Sequence, residues 1–301
     1  MNKENIYVVG RRLLYKELES LWEDLRHIDY AVIKGEVLSK WLYNNLNQRK
    51  SRDIDILIDR ENIHVVEDAL NKRGFVQYLS RAQKENRKNR ILCMTSSHQI
   101  PSFHKRCFGF DLNVDINFDI FWGEYEGKKC SISEFLRDTN EIMNIYGSNV
   151  KTLSLEKNFV QLVLHHYKEM NSLYHLSKWH AIRKERFKDI LYILKNNKEI
   201  LSEEKVFELS DTYDIAPIMY YLLYYTEKVF PNEFLKSYLK KFDCVKDGHL
   251  INYYGLCAAE RRKWKIPFEE RLDNDFIWER IQGDISQNDQ KKLALNNSIF
   301  T

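Results

Sequence analysis

The chain has 301 residues, 44% of them hydrophobic and 30% charged, with a formal net charge of +3. That balance excludes a disordered protein and suits one large domain or two ordinary ones. So small a charge excludes nucleic-acid recognition by net charge alone, so any basic site is a local patch. Four prolines and ten glycines leave little room for long irregular linkers and favour helix.

Residues 1–10 lack the apolar core of a secretion signal, and no stretch approaches the ~18 uninterrupted apolar residues of a membrane span. The five cysteines (Cys93, Cys107, Cys130, Cys244 and Cys257) are scattered, without metal-like spacing. They read as reduced thiols, and a cytoplasmic protein without membrane partners is expected.

Residues 11–26 carry Leu13, Leu14, Leu18, Leu21, Trp22 and Leu25 at helical spacing. Residues 30–33 are a short apolar run, a strand or buried segment that Lys34-Gly35 turns into a helix over 36–46. Residues 48–52 form a polar, basic loop. Residues 53–58 alternate as Asp-Ile-Asp-Ile-Leu-Ile and predict a strand. A helix over 62–73 ends at Gly74. Strands are predicted over 75–79 and 91–95, flanking a Lys/Arg-rich stretch. Residues 108–121 alternate again. Asp111, Asn113, Asp115, Asn117 and Asp119 share one face; Phe110, Leu112, Val114, Ile116, Phe118 and Ile120 share the other.

After Leu153 strand signals nearly vanish. Helices are predicted over 155–169, 184–195, 202–213, 215–229 and 233–241, with a loosely held polar tail after Gln287. The expected fold class is α/β (α+β): a mixed sheet with flanking helices in residues 1–150, then a helical domain in 151–301.

Asp53 and Asp55 point to one face of their strand, with Cα atoms roughly 6.5 Å apart. Such a pair repels unless solvated or neutralised. It suits Mg²⁺, which prefers one or two carboxylates plus phosphate oxygens. Two metals about 3.5–4 Å apart would stabilise both the attacking and leaving oxygens of a phosphoryl-type displacement. An exposed amphipathic strand with two solvated acids is the alternative. If the second alternating strand lies beside the first, one of its acids, Asp111, Asp115 or Asp119, can complete a three-carboxylate cluster that can also take a proton. A polar outer face is the alternative there, above all for Asp111 and Asp119. Lys34-Gly35 before a helix allows close approach of a phosphate, and Arg49, Ser51 and Arg52 can donate to triphosphate oxygens. An ordinary turn and a local salt bridge are the alternatives.

Val32-Ile33-Lys34-Gly35, Leu38, Tyr43, Arg49 and Asp53-Ile54-Asp55-Ile56-Leu57-Ile58 together resemble the uncharacterised bacterial nucleotidyltransferase family of the polymerase-beta-like superfamily. That family also carries a later strand of the form Val-Asp-Leu-His-Trp, and Val114-Asp115-Ile116-Asn117-Phe118 occupies its place. The resemblance implies the nucleotidyltransferase fold and Mg²⁺-dependent transfer of a nucleoside monophosphate from an NTP, ATP foremost. It implies Asp53, Asp55 and Asp115 as metal ligands, with Lys34, Gly35 and Arg49 near the nucleotide. His165-His166 and Asp189 are counterparts of a His-rich helix and a later Asp in the family's helical region. Asn117 and Phe118 depart from the usual His and Trp, and Ser51-Arg52 from the usual small residue and Gly. The superfamily's Gly-Ser signature ahead of the first Asp is absent.

Neighbours on a helix point about 100° apart, which disfavours His165 and His166 sharing one metal and favours packing. Arg81, Lys84, Arg87, Lys88 and Arg90 read as surface or an anion site. Arg183, Lys184, Arg186 and Lys188, and Arg261, Arg262, Lys263 and Lys265, read as surface. Tyr220, Tyr221, Tyr224 and Tyr225 read as helical core, with an aromatic cleft as the alternative. No Walker loop, dinucleotide fingerprint or nucleophile elbow occurs. The expected activity is nucleotidyl transfer to a small molecule or peptide, with RNA an open acceptor. The helical domain is then an acceptor-binding or accessory domain. A non-catalytic nucleotide- or RNA-binding module of the same fold and an unrelated interaction protein are the competing readings.

Overall fold

Alternation in two segments builds the centre of a mixed sheet in the computed structural model, which describes residues 3–77, 91, 93–95, 97–121, 130–137, 141–178, 182–245 and 249–300. The basic cluster from Arg81 to Arg90 lies outside the described residues, as does the end of the strand expected over 75–79. The chain forms two compact units. One comprises Met1–Gly123 and Cys130–Asn158, and the other is chiefly Phe159–Thr301.

The first unit opens with helices α1 (Lys3–Glu17) and α2 (Glu19–Asp24). The single helix expected over 11–26 is broken at Leu18, whose carbonyl accepts from Leu21 N three residues on, a tighter turn than the α-helical spacing. Strand β1 (Tyr30–Ile33), helix α3 (Gly35–Tyr43), strand β2 (Asp53–Ile58) and helix α4 (Ile63–Lys72) follow. Then come β3 (Val76–Gln77), β4 (Phe103–Cys107), β5 (Phe110–Asn117), helix α5 (Ile132–Leu136), β6 (Glu141–Ile145) and β7 (Ser148–Thr152). The seven strands lie in the order β3-β4-β5-β2-β1-β7-β6. β2 runs parallel to β5 and antiparallel to β1, and β7 is parallel to β1.

Burial of one sheet face sets these registers. Ile54, Ile56 and Ile58 of β2 and Leu112, Val114 and Ile116 of β5 join Leu14, Leu18, Leu21, Val66 and Leu70 from the helices in one core. Each such side chain contributes roughly 1.5–3 kcal/mol, so a one-residue slip that turned them outward is strongly disfavoured. Residues 91 and 93–95 are helical rather than extended: Thr95 Oγ1 donates to Ile91 O and Ser97 N to Cys93 O. A short apolar run cannot distinguish the two forms by periodicity.

The second long strand begins at Phe110, not at 108, because Phe108-Gly109 is a two-residue hairpin turn with φ of 47° and 82°. Positive φ at both positions matches the twist of the flanking strands.

The second unit contains α6 from Phe159 onward (the full helix is Leu155–Asn171), α7 (Leu173–Ser177), α8 (Lys184–Asn196), α9 (Glu203–Thr212), α10 (Ala216–Val229) and α11 (Glu233–Lys241). Ser172, Ser202 and Asn232 cap α7, α9 and α11 through their side-chain oxygens. Tyr220, Tyr221 and Tyr225 of α10 are buried, so they form core rather than an open cleft. Strand structure is not wholly absent after Leu153, since Tyr253–Tyr254 pairs with Arg262–Lys263. The polar tail is a helix, Gln287–Phe300. Ser286 caps it at Asp289 N, and the buried Asp289 holds Arg262 at 2.9 Å, so Arg262 is not a solvated surface cation. No helix among the described residues is long and apolar enough to cross a membrane.

Phe108 is 85% exposed, so its side chain offsets little of the cost of its positive φ. Phe108→Asn is expected to raise stability by about 0.5–1 kcal/mol, read as a higher urea midpoint at unchanged slope.

Candidate active site on the acidic face of the sheet

The face of β2 opposite the core carries Asp53, Asp55 and Leu57. Parallel pairing sets Asp53 against Asn113, Asp55 against Asp115 and Leu57 against Asn117. Partners in register share a face, so the third carboxylate stands directly beside the second. Ala31 and Ile33 of β1 lie opposite Leu57 and Asp55. Asp55 is 5% exposed and Leu57 is fully buried, so this is not an outer face of solvated acids. Asp111 and Asp119 stand apart from it. Asp111 is exposed and pairs loosely with Arg106, while Asp119 follows the strand and accepts from Phe121 N.

The turn from β1 to α3 supplies the opposing charge. Lys34 Nζ lies 2.6 Å from Asp55 Oδ1, which also accepts from Asn117 Nδ2 at 3.1 Å. Burial works against the Lys34 charge, but Asp55, and beyond it Asp115 and Asp53, hold the ammonium above its ordinary range. Lys34 has φ 59° and ψ −147°, and Gly35 follows at φ 39°. Such a conformation at a non-glycine residue costs roughly 1–3 kcal/mol and persists only when its surroundings impose it. A Cβ at residue 35 would meet Ser51 Oγ at 3.4 Å, and Arg11 Nη2 lies 3.9 Å away. These are ordinary contact distances, so it is the positive φ rather than lack of space that calls for glycine here.

Of the remaining residues expected to contact phosphate, Ser51 donates to Asp53 Oδ1 at 3.0 Å, and its backbone N donates to Tyr7 OH at 2.8 Å. Arg49 is half-buried, and its backbone N donates to Ser39 Oγ. Arg52 is exposed on the loop before β2.

Beneath the site lies a network that sequence reasoning missed. Arg11 of α1 donates to both oxygens of Glu36 at 2.6 Å and, through Nη2, to the Asp53 carbonyl at 2.8 Å. Tyr15 OH adds a bond to Glu36 at 3.2 Å. Burial opposes the Arg11 charge, but Glu36 outweighs it and holds the guanidinium above its usual range. Arg11 is 25 residues from Glu36 along the chain, so no local pattern announced the pair. Asn117 was visible as a same-face neighbour of Asp115, but its bond to Asp55 required the register.

The crowded carboxylates resist ionisation. Burial, then the charges of Asp55 and Asp53, push Asp115 up to about 7, against the pull of Ser102 and Lys34. Burial and Asp55 also raise Asp53.

His165, His166 and Asp189 lie in the helical unit. His166 Nε2 is 3.3 Å from Asp189 Oδ2. Arg186, expected at the surface, is instead paired with Glu169 at 3.0 Å.

A seven-stranded mixed sheet thus carries a Lys-Gly turn beside three aspartates on two adjacent strands. Residues 3–231 match the sequence profile of a family described as uncharacterised nucleotidyltransferase, and the chain belongs to that family. No curated protein matches the sequence significantly. Among solved structures, the chain is similar to an antigenic nucleotidyltransferase-like protein from Paracoccidioides brasiliensis. The two are 19% identical over 76% of this chain and 96% of that one, at a TM-score of 0.34.

Glu36→Gln leaves the Arg11 charge buried and undercompensated, which is expected to cost about 3–5 kcal/mol, read by denaturant unfolding. An unchanged midpoint would refute the importance of the pair. Because Asp115 is raised in the folded state, it favours folding most below its unfolded value near ~4, and that contribution is lost as pH rises through about 7. Asp115→Asn is thus expected to melt above wild type at pH 8, by about 2–4 °C per kcal/mol of relieved repulsion. The gap should close by pH 5.

Proposed function

We propose that the acidic face transfers a nucleoside monophosphate from an NTP, ATP foremost, to a hydroxyl or comparable nucleophile on a small molecule or peptide. The observation that carries this reading is the in-register pairing of Asp55 with Asp115, beside Asp53 and under the Lys34-Gly35 turn. Carboxylates are the right donors for a hard divalent cation. Burial first, and then the neighbouring carboxylates, raise Asp53 and Asp115, and a bound cation would relieve that crowding. Mg²⁺ held by Asp53, Asp55 and Asp115 supplies positive charge to the phosphate oxygens and the leaving pyrophosphate when bound.

The chain's own groups account for the rest. Lys34, the backbone at Gly35 and the donors Ser51, Arg49 and Arg52 bind and orient the triphosphate. Asn117 and Ser51 orient Asp55 and Asp53. The acceptor oxygen attacks the α-phosphorus in line, and the bond from that phosphorus to the pyrophosphate oxygen breaks. The acceptor's proton passes to Asp115, the carboxylate that stands beside Asp55 in register.

One observation favours a second reading. Lys34 already neutralises Asp55, so a non-catalytic module could bind nucleotide through Lys34 without a metal.

Calorimetric titration of each NTP, with and without Mg²⁺, into wild type, Asp53→Asn and Asp55→Asn separates the two. Mg²⁺-dependent binding of one NTP, weakened in both variants, is expected. Transfer of α-labelled nucleotide should then fall about 10²–10³-fold or more in variants with unchanged circular dichroism. Full transfer in both variants would refute the catalytic reading, and Mg²⁺-independent binding without transfer would establish the module.

A further inference from the structure

The helical unit holds a polar cluster that the acidic face does not use. His165, His166 and Glu169 of α6 each offer a donor atom, and these atoms lie within 4.8 Å of one another. His165 and Glu169 are four residues apart on one helix face, with Nε2 3.4 Å from Oε2. His166 is the neighbour that helix geometry disfavours, yet its ring centroid lies 5.8 Å from that of His165, at 39° between planes. The 100° between adjacent positions is thus bridged by the side chains.

The proton inventory of His166 points to a ligand. The ring is 2% exposed, and its Nε2 faces Asp189 Oδ2. A neutral imidazole has one N–H and one lone pair. A carboxylate at Nε2 fixes the N–H there and leaves the lone pair on Nδ1. That atom is buried and has no hydrogen-bond partner among the described residues. An acceptor left in this state costs about 1–3 kcal/mol. A metal ion is a partner that accepts a lone pair and needs no donor hydrogen. Imidazole oriented by a carboxylate on its far nitrogen is also the usual arrangement around a protein-bound metal.

Glu169 completes the set. Arg186 Nε occupies Oε2 at 3.0 Å, and a carboxylate has a second oxygen to offer. The nearby guanidinium disfavours a hard cation held by charge alone. It leaves the advantage to an ion that gains bonding energy from imidazole nitrogen.

We propose that His165, His166 and Glu169 form a Zn²⁺ site in the helical unit, with Asp189 as the positioning residue that orients His166. Two histidines and one glutamate leave the fourth position of a tetrahedral zinc open to water or a ligand.

The test is Zn²⁺ titration of the metal-stripped full chain by calorimetry, beside His165→Ala, Glu169→Gln, Asp189→Asn and Asp53→Asn. One Zn²⁺ per chain is expected in wild type and in Asp53→Asn, which separates this site from the acidic face. Asp189→Asn should weaken binding about 10–100-fold, and His165→Ala and Glu169→Gln at least as much. Co²⁺ bound to wild type should give a visible absorption spectrum of nitrogen-coordinated, four-coordinate metal, a readout that needs no variant to fold. No Zn²⁺ bound by wild type, binding unchanged in His165→Ala, loss of the ion in Asp53→Asn, or a Co²⁺ spectrum of oxygen ligands only would each overturn the assignment.

Discussion

Carboxylates packed on one face of a sheet repel one another, and Lys34 is the charge that holds Asp55 in place against its neighbours. Parallel pairing of β2 with β5 sets Asp55 beside Asp115, and Asp53 lies two residues away on the same face. Without an offsetting cation, burial of this set would demand protonation. The chain meets part of that demand with the Lys34 ammonium at 2.6 Å and leaves the rest in a raised Asp115 and Asp53. The positive φ of Lys34 belongs to the same economy: a strained turn aims the only lysine that reaches Asp55 among the described residues.

A buried ion pair supports the turn from below. Arg11 reaches across from α1 to Glu36 at the start of α3 and to the Asp53 carbonyl at the start of β2. One guanidinium thereby ties the helix after the Lys-Gly turn to the strand carrying the acids. Such a pair adds little net stability over an apolar replacement, but removing one partner is costly. Its value here is positional, because Ser51, Gly35 and Asp53 converge within its reach.

The family match extends through residue 231, so the helices from α6 to α10 belong to the shared unit of sequence. The polar cluster around His166 lies within that span. The Nδ1 atom of His166 is buried there without a hydrogen-bond partner among the described residues, which makes it energetically conspicuous.

Local pattern alone determined strand β2 to the residue, the helices α8 to α11 to within one or two residues, and Asp53, Asp55 and one acid of the second alternating strand as a candidate set. Those features follow from side-chain periods of 2 and 3.6, which are legible over a few residues. The break at Leu18, the helical 93–95 and the docked C-terminal helix were not legible, since each depends on a bond or ion pair that competes with local preference. The tertiary structure alone decided that Asp115 stands level with Asp55, that Arg11 finds Glu36, that Asn117 serves Asp55, and that His165 and His166 lean together. Each joins residues that periodicity either leaves unrelated or points apart. Only strand register, burial and packing of one element on another bring such groups within bonding distance.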